Sequence, residues 1–221
     1  MIIKLQNNNM YIRNWMENIK KISHINWIKK FILLFKQKQP IEKINPNWQP
    51  HNLQNSIVTL QPLKETDFEK LFEVASDPHI WDQHPSKNRY IKTAFRIFFD
   101  SLISNPTAFL IIDKTTNKII GSTRYNEYNR EESRICIGGT FLSRNYWGTQ
   151  YNKTIKYLLL DYAFKFVKNV FFHVSKDNIR SQKSLLSIGA KKVGEVEFDH
   201  YGEKVLHYKY LIKKTDWIQN L

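Results

Sequence analysis

Residues 135–174 constrain the fold most. An apolar, strand-like run from Ile135 to Leu142 leads through RNYWGTQYN (144–152) into a helical run, Thr154 to Val167. A second strand of buried type follows at Asn169 to Val174. A strand, a helix and a strand in this succession make a β-α-β unit with parallel strands. The turn at its centre is either a plain connection or a cradle for an anion. A helix start leaves several amides without partners and carries partial positive charge, so phosphate fits there unaided. Gly148 permits a tight turn and a close approach. Thr149, Gln150 and Asn152 add polar groups around the helix start. Many strand-to-helix turns with one glycine bind nothing, so these nine residues leave both readings open.

The flanking sequence supplies the rest of a sheet. Ser56 to Leu63 reads as a strand, and Thr66 caps a helix to about Ala75, with Glu69 as capping-box partner. Tyr90 to Ile103 reads as a helix with Ile91, Ala94, Phe95, Phe98 and Leu102 on one face. Ala108 to Asp113, Ile119 to Tyr128 and Arg134 to Leu142 are three strands in succession. Ser181 to Ile188 is a helix closed by Gly189, and Lys192 to Phe198 and Lys204 to Ile212 are a final strand pair. This order predicts a mixed α/β fold: a mostly antiparallel sheet of six to seven strands flanked by about four helices.

Residues 1–50 carry nine Lys/Arg against two Asp/Glu, half of the net charge of +14. Trp15, Ile19, Ile22, Ile25 and Ile28 recur at helical spacing, so a basic helical extension is expected. Residues 11–36 could lie on an anionic membrane surface or pack on a protein. PIEKINPNWQPHN (40–52) reads as a linker, which puts the domain at 51–221. The longest apolar run in the N-terminal region, Phe31 to Phe35, is far short of the roughly 20 residues of a membrane span, and a cytoplasmic location is the expectation. A single cysteine, Cys136, excludes an internal disulfide. The seven histidines are scattered, and no spacing closes a metal site.

The element order, the strand–turn–helix at 135–167, YWGTQYN (146–152), SDPHIWDQHP (76–85), NIRSQKS (178–184) and IGAKKVGE (188–195) together resemble the GNAT acetyltransferase superfamily, more narrowly its RimJ/RimL-like branch. The resemblance covers residues 57–217. The superfamily's pyrophosphate loop reads [Gln/Arg]-x-x-Gly-x-[Gly/Ala]; Gly148 matches, whereas Asn145 and Gln150 depart at the outer positions. The resemblance implies acetyl-CoA in a gap between strands 134–142 and 169–174. Backbone amides of Trp147 to Tyr151 would hold the pyrophosphate, with Asn145, Tyr146, Thr149, Gln150 and Asn152 completing the turn. Backbone groups of Thr140, Phe141 and Leu142 would pair with the pantetheine arm. Asn178, Ser181 and Lys183 would contact the cofactor beyond the second strand. No metal is implied.

Acyl transfer to an amine needs a proton acceptor, a stabilised carbonyl oxygen and a proton for the leaving thiolate. At the superfamily's usual tyrosine stands Leu185, and at its usual strand carboxylate stands Cys136. The substitutes are Ser181 for the acid, and His84 or His173 for the base. Trp81, Asp82, His84 and Tyr125 are candidates for the acceptor pocket. Each has a plainer reading: a turn histidine is usually solvated, a strand histidine or tyrosine usually packed. The implied activity is acetyl transfer to a primary amine, on a small molecule or a protein N-terminus, by a monomer or homodimer. A CoA-binding module without turnover and a basic nucleic-acid binder are the other classes; no nucleic-acid recognition motif accompanies the charge.

Overall fold

The computed structural model describes residues 45–200 and 202–218. The chain divides into two compact units, 1–45 and 46–221, and almost all described residues belong to the second. The basic helical extension and its membrane-surface reading lie outside the described residues.

An eight-stranded sheet forms the second unit, in the order β1-β2-β3-β4-β5-β6-β8-β7. Its strands are β1 (Leu53–Gln54), β2 (Val58–Pro62), β3 (Ala108–Asp113), β4 (Lys118–Asn129), β5 (Arg134–Leu142), β6 (Asn169–Ser175), β7 (Lys191–His200) and β8 (Glu203–Lys213). Helices α1 (Phe68–Ala75) and α2 (Lys92–Ile103) precede β3; α3 (Tyr151–Ala163) joins β5 to β6, α4 (Ile179–Leu186) follows β6, and α5 (Lys214–Ile218) ends the fold. The mixed, largely antiparallel architecture predicted from the sequence is present, with one strand and one short helix more.

Two apolar layers flank the sheet. Leu71 of α1 and Phe95, Phe99 and Leu102 of α2 pack with Leu110 and Phe141 on one side. Ile155, Leu159, Leu160 and Ala163 of α3 pack with Leu60, Ile135, Ile137 and Val170 on the other. Alternation along β5 sends Ile135 and Ile137 one way and Phe141 the other across a bulge. The linker reading of 40–52 fails at its end: Trp48 is buried, with its ring 5.1 Å from both Tyr125 and Tyr128, and Gln49 Nε2 donates to Ala108 O at 2.6 Å. An indole gains too much by leaving water to remain in a loose connector.

Among the described residues only β5 and β6 pair in parallel, and only over Arg134–Cys136 against Asn169–Phe171. Beyond that point they diverge. On its other edge β5 carries one residue more than β4 between Gly138 and Phe141, and Gly139 takes φ 57°. A glycine in the left-handed region at an extra residue bends a strand at little cost. A second shift puts one extra residue on β4 between Asn126 and Asn129, where Glu127 itself is left-handed at φ 54°.

Candidate functional site

The divergence of β5 and β6 opens a cleft of about 720 Å³. Its walls come from the open edge of β5, from Phe172 to Ser175 of β6, from the starts of α3 and α4, and from the loop between α1 and α2.

At one end is the turn before α3. Arg144–Tyr146 form a short 3-10 turn in which the Trp147 amide already donates to Arg144 O at 2.9 Å. The helix starts at Tyr151, one turn earlier than the sequence pattern suggested, and its N-cap Gln150 makes no side-chain cap. The Tyr151 amide donates to Thr149 Oγ1 at 3.4 Å and the Thr154 amide to Gln150 O at 2.9 Å, which leaves the amides of Asn152 and Lys153 available at the helix start. Gly148 sits at φ 70°, and a Cβ there would meet nothing within 4 Å, so the approach to the turn is open. The turn is braced from behind: Tyr146 and Tyr151 hydroxyls donate to Asp113 at 3.0 and 2.8 Å. Burial opposes the Asp113 carboxylate, but these bonds and those from Thr116 and Thr115 outweigh it and hold its pKa at about 2. Trp147 Nε1 donates to Leu142 O at 3.0 Å, and the Arg180 guanidinium lies 3.7 Å over its ring. Arg180 also donates to Ile80 O at 2.9 Å, which ties α4 to the loop after α1.

Asn178 caps α4 by accepting from the Ser181 amide at 3.1 Å. Asn152 Nδ2 donates to Ser184 Oγ at 2.7 Å, while its buried Oδ1 has no donor among the described residues. An open helix start, a glycine with free space above it and an orphaned acceptor in the wall fit an extended, phosphate-bearing ligand.

Most sequence-predicted residues reach this cleft: Thr140, Phe141, Leu142, Tyr146, Trp147, Gly148, Thr149, Asn152, Asn178, Ser181, Lys183, Trp81, His84 and His173 all line it. Five do not. Asn145 and Gln150 are exposed outside the cleft, and Tyr151 faces Asp113. Asp82 is exposed and pairs with His79 at 3.1 Å. Tyr125 is fully buried, and its hydroxyl donates to Leu159 O at 2.6 Å, so it belongs to the core rather than to an acceptor pocket.

The base expected at His84 meets a geometric obstacle. Its Nδ1 accepts from the Ser86 amide at 2.9 Å, and its Nε2 faces Arg89 Nη1 at 3.2 Å. With Nδ1 accepting, the neutral ring carries its proton on Nε2, which faces the Arg89 guanidinium; the one lone pair is already taken by the Ser86 amide and has no room for a substrate proton. Burial first, and then the Arg89 charge, push its pKa well below the ordinary histidine value.

Two residues that the sequence reading did not single out bear on the site: Glu127, which stands behind the cleft-lining His173, and Lys156, which lines the cleft itself. Glu127 Oε1 lies 3.6 Å from His173 Nδ1, and Cys136 Sγ is 3.9 Å from the same nitrogen. The contact with His173 is the main cause holding the Glu127 carboxyl below its usual range. Burial pushes the Cys136 thiol up to about 12, so it is no nucleophile. Ligand atoms of these three residues lie within 4.8 Å of one another. Arg134 and Lys209 act on Glu127, and Arg124 and Lys156 on Cys136, a cationic setting that opposes a bound metal ion. The second residue is Lys156, buried on α3 with Nζ donating to Thr140 Oγ1 at 2.8 Å. A lysine at 156 in the stripe of Leu159, Leu160 and Ala163 was a legible signal.

Comparisons with known proteins agree with this geometry. A family model described as an acetyltransferase (GNAT) domain matches residues 58–191. An uncharacterised N-acetyltransferase p20 of Bacillus licheniformis is 32% identical over 96 residues, 42% of this chain and 53% of that protein. The chain thus spans about half the length of this curated relative. An acetyltransferase (GNAT family) from Bacillus anthracis superposes with TM-score 0.62 at 19% identity, over 73% of this chain and 98% of that one. A spermidine N-acetyltransferase from Vibrio cholerae, in complex with CoA and spermine, superposes with TM-score 0.58 at 16% identity, over 74% and 99%. The family match runs through the open strand pair, the turn and both helices of the cleft, and the chain belongs to the GNAT acetyltransferases.

Proposed function

We propose that the chain transfers an acetyl group from acetyl-CoA directly to a primary amine, on a small molecule or a protein N-terminus, as a member of the RimJ/RimL-like branch. The open edge of β5 beyond Cys136, ending at the uncapped start of α3, carries this reading. The amides from Gly148 onward would hold the pyrophosphate, and the unpaired edge of β5 would take the pantetheine arm as an added strand. Acetyl-CoA supplies the activated acyl group. His173, held by Glu127, takes the proton that the attacking amine loses, in place of the blocked His84.

The cleft lining contains no Asp or Glu among the described residues, but includes Arg89, Lys156, Arg180 and three histidines. A polyamine, such as the ligand named for the Vibrio cholerae structure, would find no counter-charge there. An acceptor with one amine, or one that also carries an anionic group, suits the wall better.

The test is acetyl-CoA turnover, read as thiol release, against amino acids, peptides with varied N-termini and polyamines. Release with a mono-amine supports the proposal. CoA binding with no release for any acceptor would instead establish a binding module.

A further inference from the structure

We propose that Lys156 is the general acid of the reaction, the group that protonates the cofactor sulfur as it leaves. The inference rests on the acetyl-transfer reading above.

Lys156 is 6% exposed, yet no carboxylate among the described residues pairs with it. An ammonium group has three N–H donors and no acceptor. One donor goes to Thr140 Oγ1 at 2.8 Å, and Thr140 in turn meets Thr123 Oγ1 at 2.8 Å. Because Thr140 accepts from Lys156, its own proton points onward to Thr123 or to Gly138 O. The other donors of Lys156 have no acceptor among the described residues, and the residue lines the cleft. Burying a charge this way costs several kcal/mol unless a ligand answers it.

Its position names the ligand atom. Nζ bonds to Thr140 of β5 and lies 5.5 Å from the Phe172 ring of β6, so it spans the two strands after they have parted. Lys156 is about 7.5 Å further along α3 than Tyr151, at 1.5 Å per residue, away from the phosphate end. In the proposed pose, a ligand threaded from the turn runs its arm along Thr140 and brings its inner, thioester end to the donors of Lys156 that Thr140 does not take. Leu185 occupies the place of the usual tyrosine and offers no proton.

The step balances. The amine nitrogen bonds to the carbonyl carbon, the C–S bond breaks, and its electron pair goes to sulfur. Lys156 gives sulfur a proton, His173 takes the proton lost by nitrogen, and solvent restores both. Among the groups around Lys156, Arg124 on β4 donates to Ser101 O and His173 on β6 faces Glu127. Lys153 on α3 lies over Tyr157, and Lys183 on α4 lines the cleft. The Cys136 thiol on β5 is the neighbour that acts on its charge. Burial brings Lys156 down to about 8, close to a thiol's ordinary value of about 8.5, a match that suits proton exchange.

The experiment compares wild type, Lys156→Met and Lys156→Arg, each checked for folding by circular dichroism. The first readout is ultraviolet titration of the thiol of bound CoA. In wild type the thiol should ionise about one unit or more below free CoA, and in Lys156→Met it should not. Lys156→Arg should keep the shifted thiol but lose at least about 10²-fold in kcat, with KM for acetyl-CoA changed less than about threefold, because a guanidinium does not give up its proton. The falling limb of kcat at alkaline pH should disappear in Lys156→Met. Identical thiol titrations in wild type and Lys156→Met, or full kcat in Lys156→Arg, would overturn the assignment. Should Lys156→Met not fold, kcat in Lys156→Arg decides alone. Wild type that binds no CoA would overturn the acetyl-transfer reading instead.

Discussion

Glu127 Oε1 faces His173 Nδ1 across 3.6 Å, from a left-handed residue at a bulge of β4 to the middle of β6. A non-glycine residue in that conformation costs on the order of 1–3 kcal/mol, and bulges re-aim side chains next to active sites. His173→Gln should lower turnover by at least about 10²-fold with little change in acetyl-CoA affinity, whereas His84→Gln should stay within about threefold of wild type. Steady-state kinetics with calorimetric titration of the cofactor checks both. A larger loss at His84 would return the base to the loop.

Gly148 at φ 70° faces open space in the cleft. Gly148→Val should weaken acetyl-CoA binding at least about tenfold, because a branched residue is strained there and fills the approach to the turn. Unchanged affinity in a folded variant would remove this turn from the site.

Lys156 is charged and buried at neutral pH, with its pKa drawn by burial from 10.5 to about 8. A depressed lysine pKa means that the unfolded state binds more protons between those values, so stability rises with pH across that window. Lys156→Met should therefore be more stable than wild type at pH 7, by up to about 3 kcal/mol, and the difference should shrink towards pH 10.5. Urea melts at several pH values measure it; a Met variant less stable at pH 7 would show that the hydrogen bond to Thr140 outweighs the buried charge.

Trp48 touches four aromatic rings, those of Tyr125, Tyr128, Tyr162 and Phe166. Trp48→Ala should destabilise the domain by about 3–5 kcal/mol. A chain beginning at Pro46 should melt cooperatively and one beginning at Leu53 at a markedly lower temperature; equal melting would make the Trp48 contacts incidental.

Element order, the antiparallel majority of the sheet and the turn around Gly148 were legible in the sequence, because hydrophobic period and turn chemistry are local. Trp147, Asn178 and Lys183 were named through the family resemblance carried by YWGTQYN and NIRSQKS, and all three line the cleft. Tertiary structure alone decided the rest. Glu127, Cys136 and His173 come from three strands, and only the registers of β4, β5 and β6, set by two extra residues, bring them together. His84 looks like a free loop base until Ser86 and Arg89 are seen at both of its nitrogens. Tyr125 and Trp48 look like pocket and linker until the core closes on them. Lys156 shows as an anomaly in an apolar helical stripe, but its position across the parted strands depends on where the pairing of β5 and β6 stops. Local patterns fix which segments form, and long-range register fixes which side chains meet.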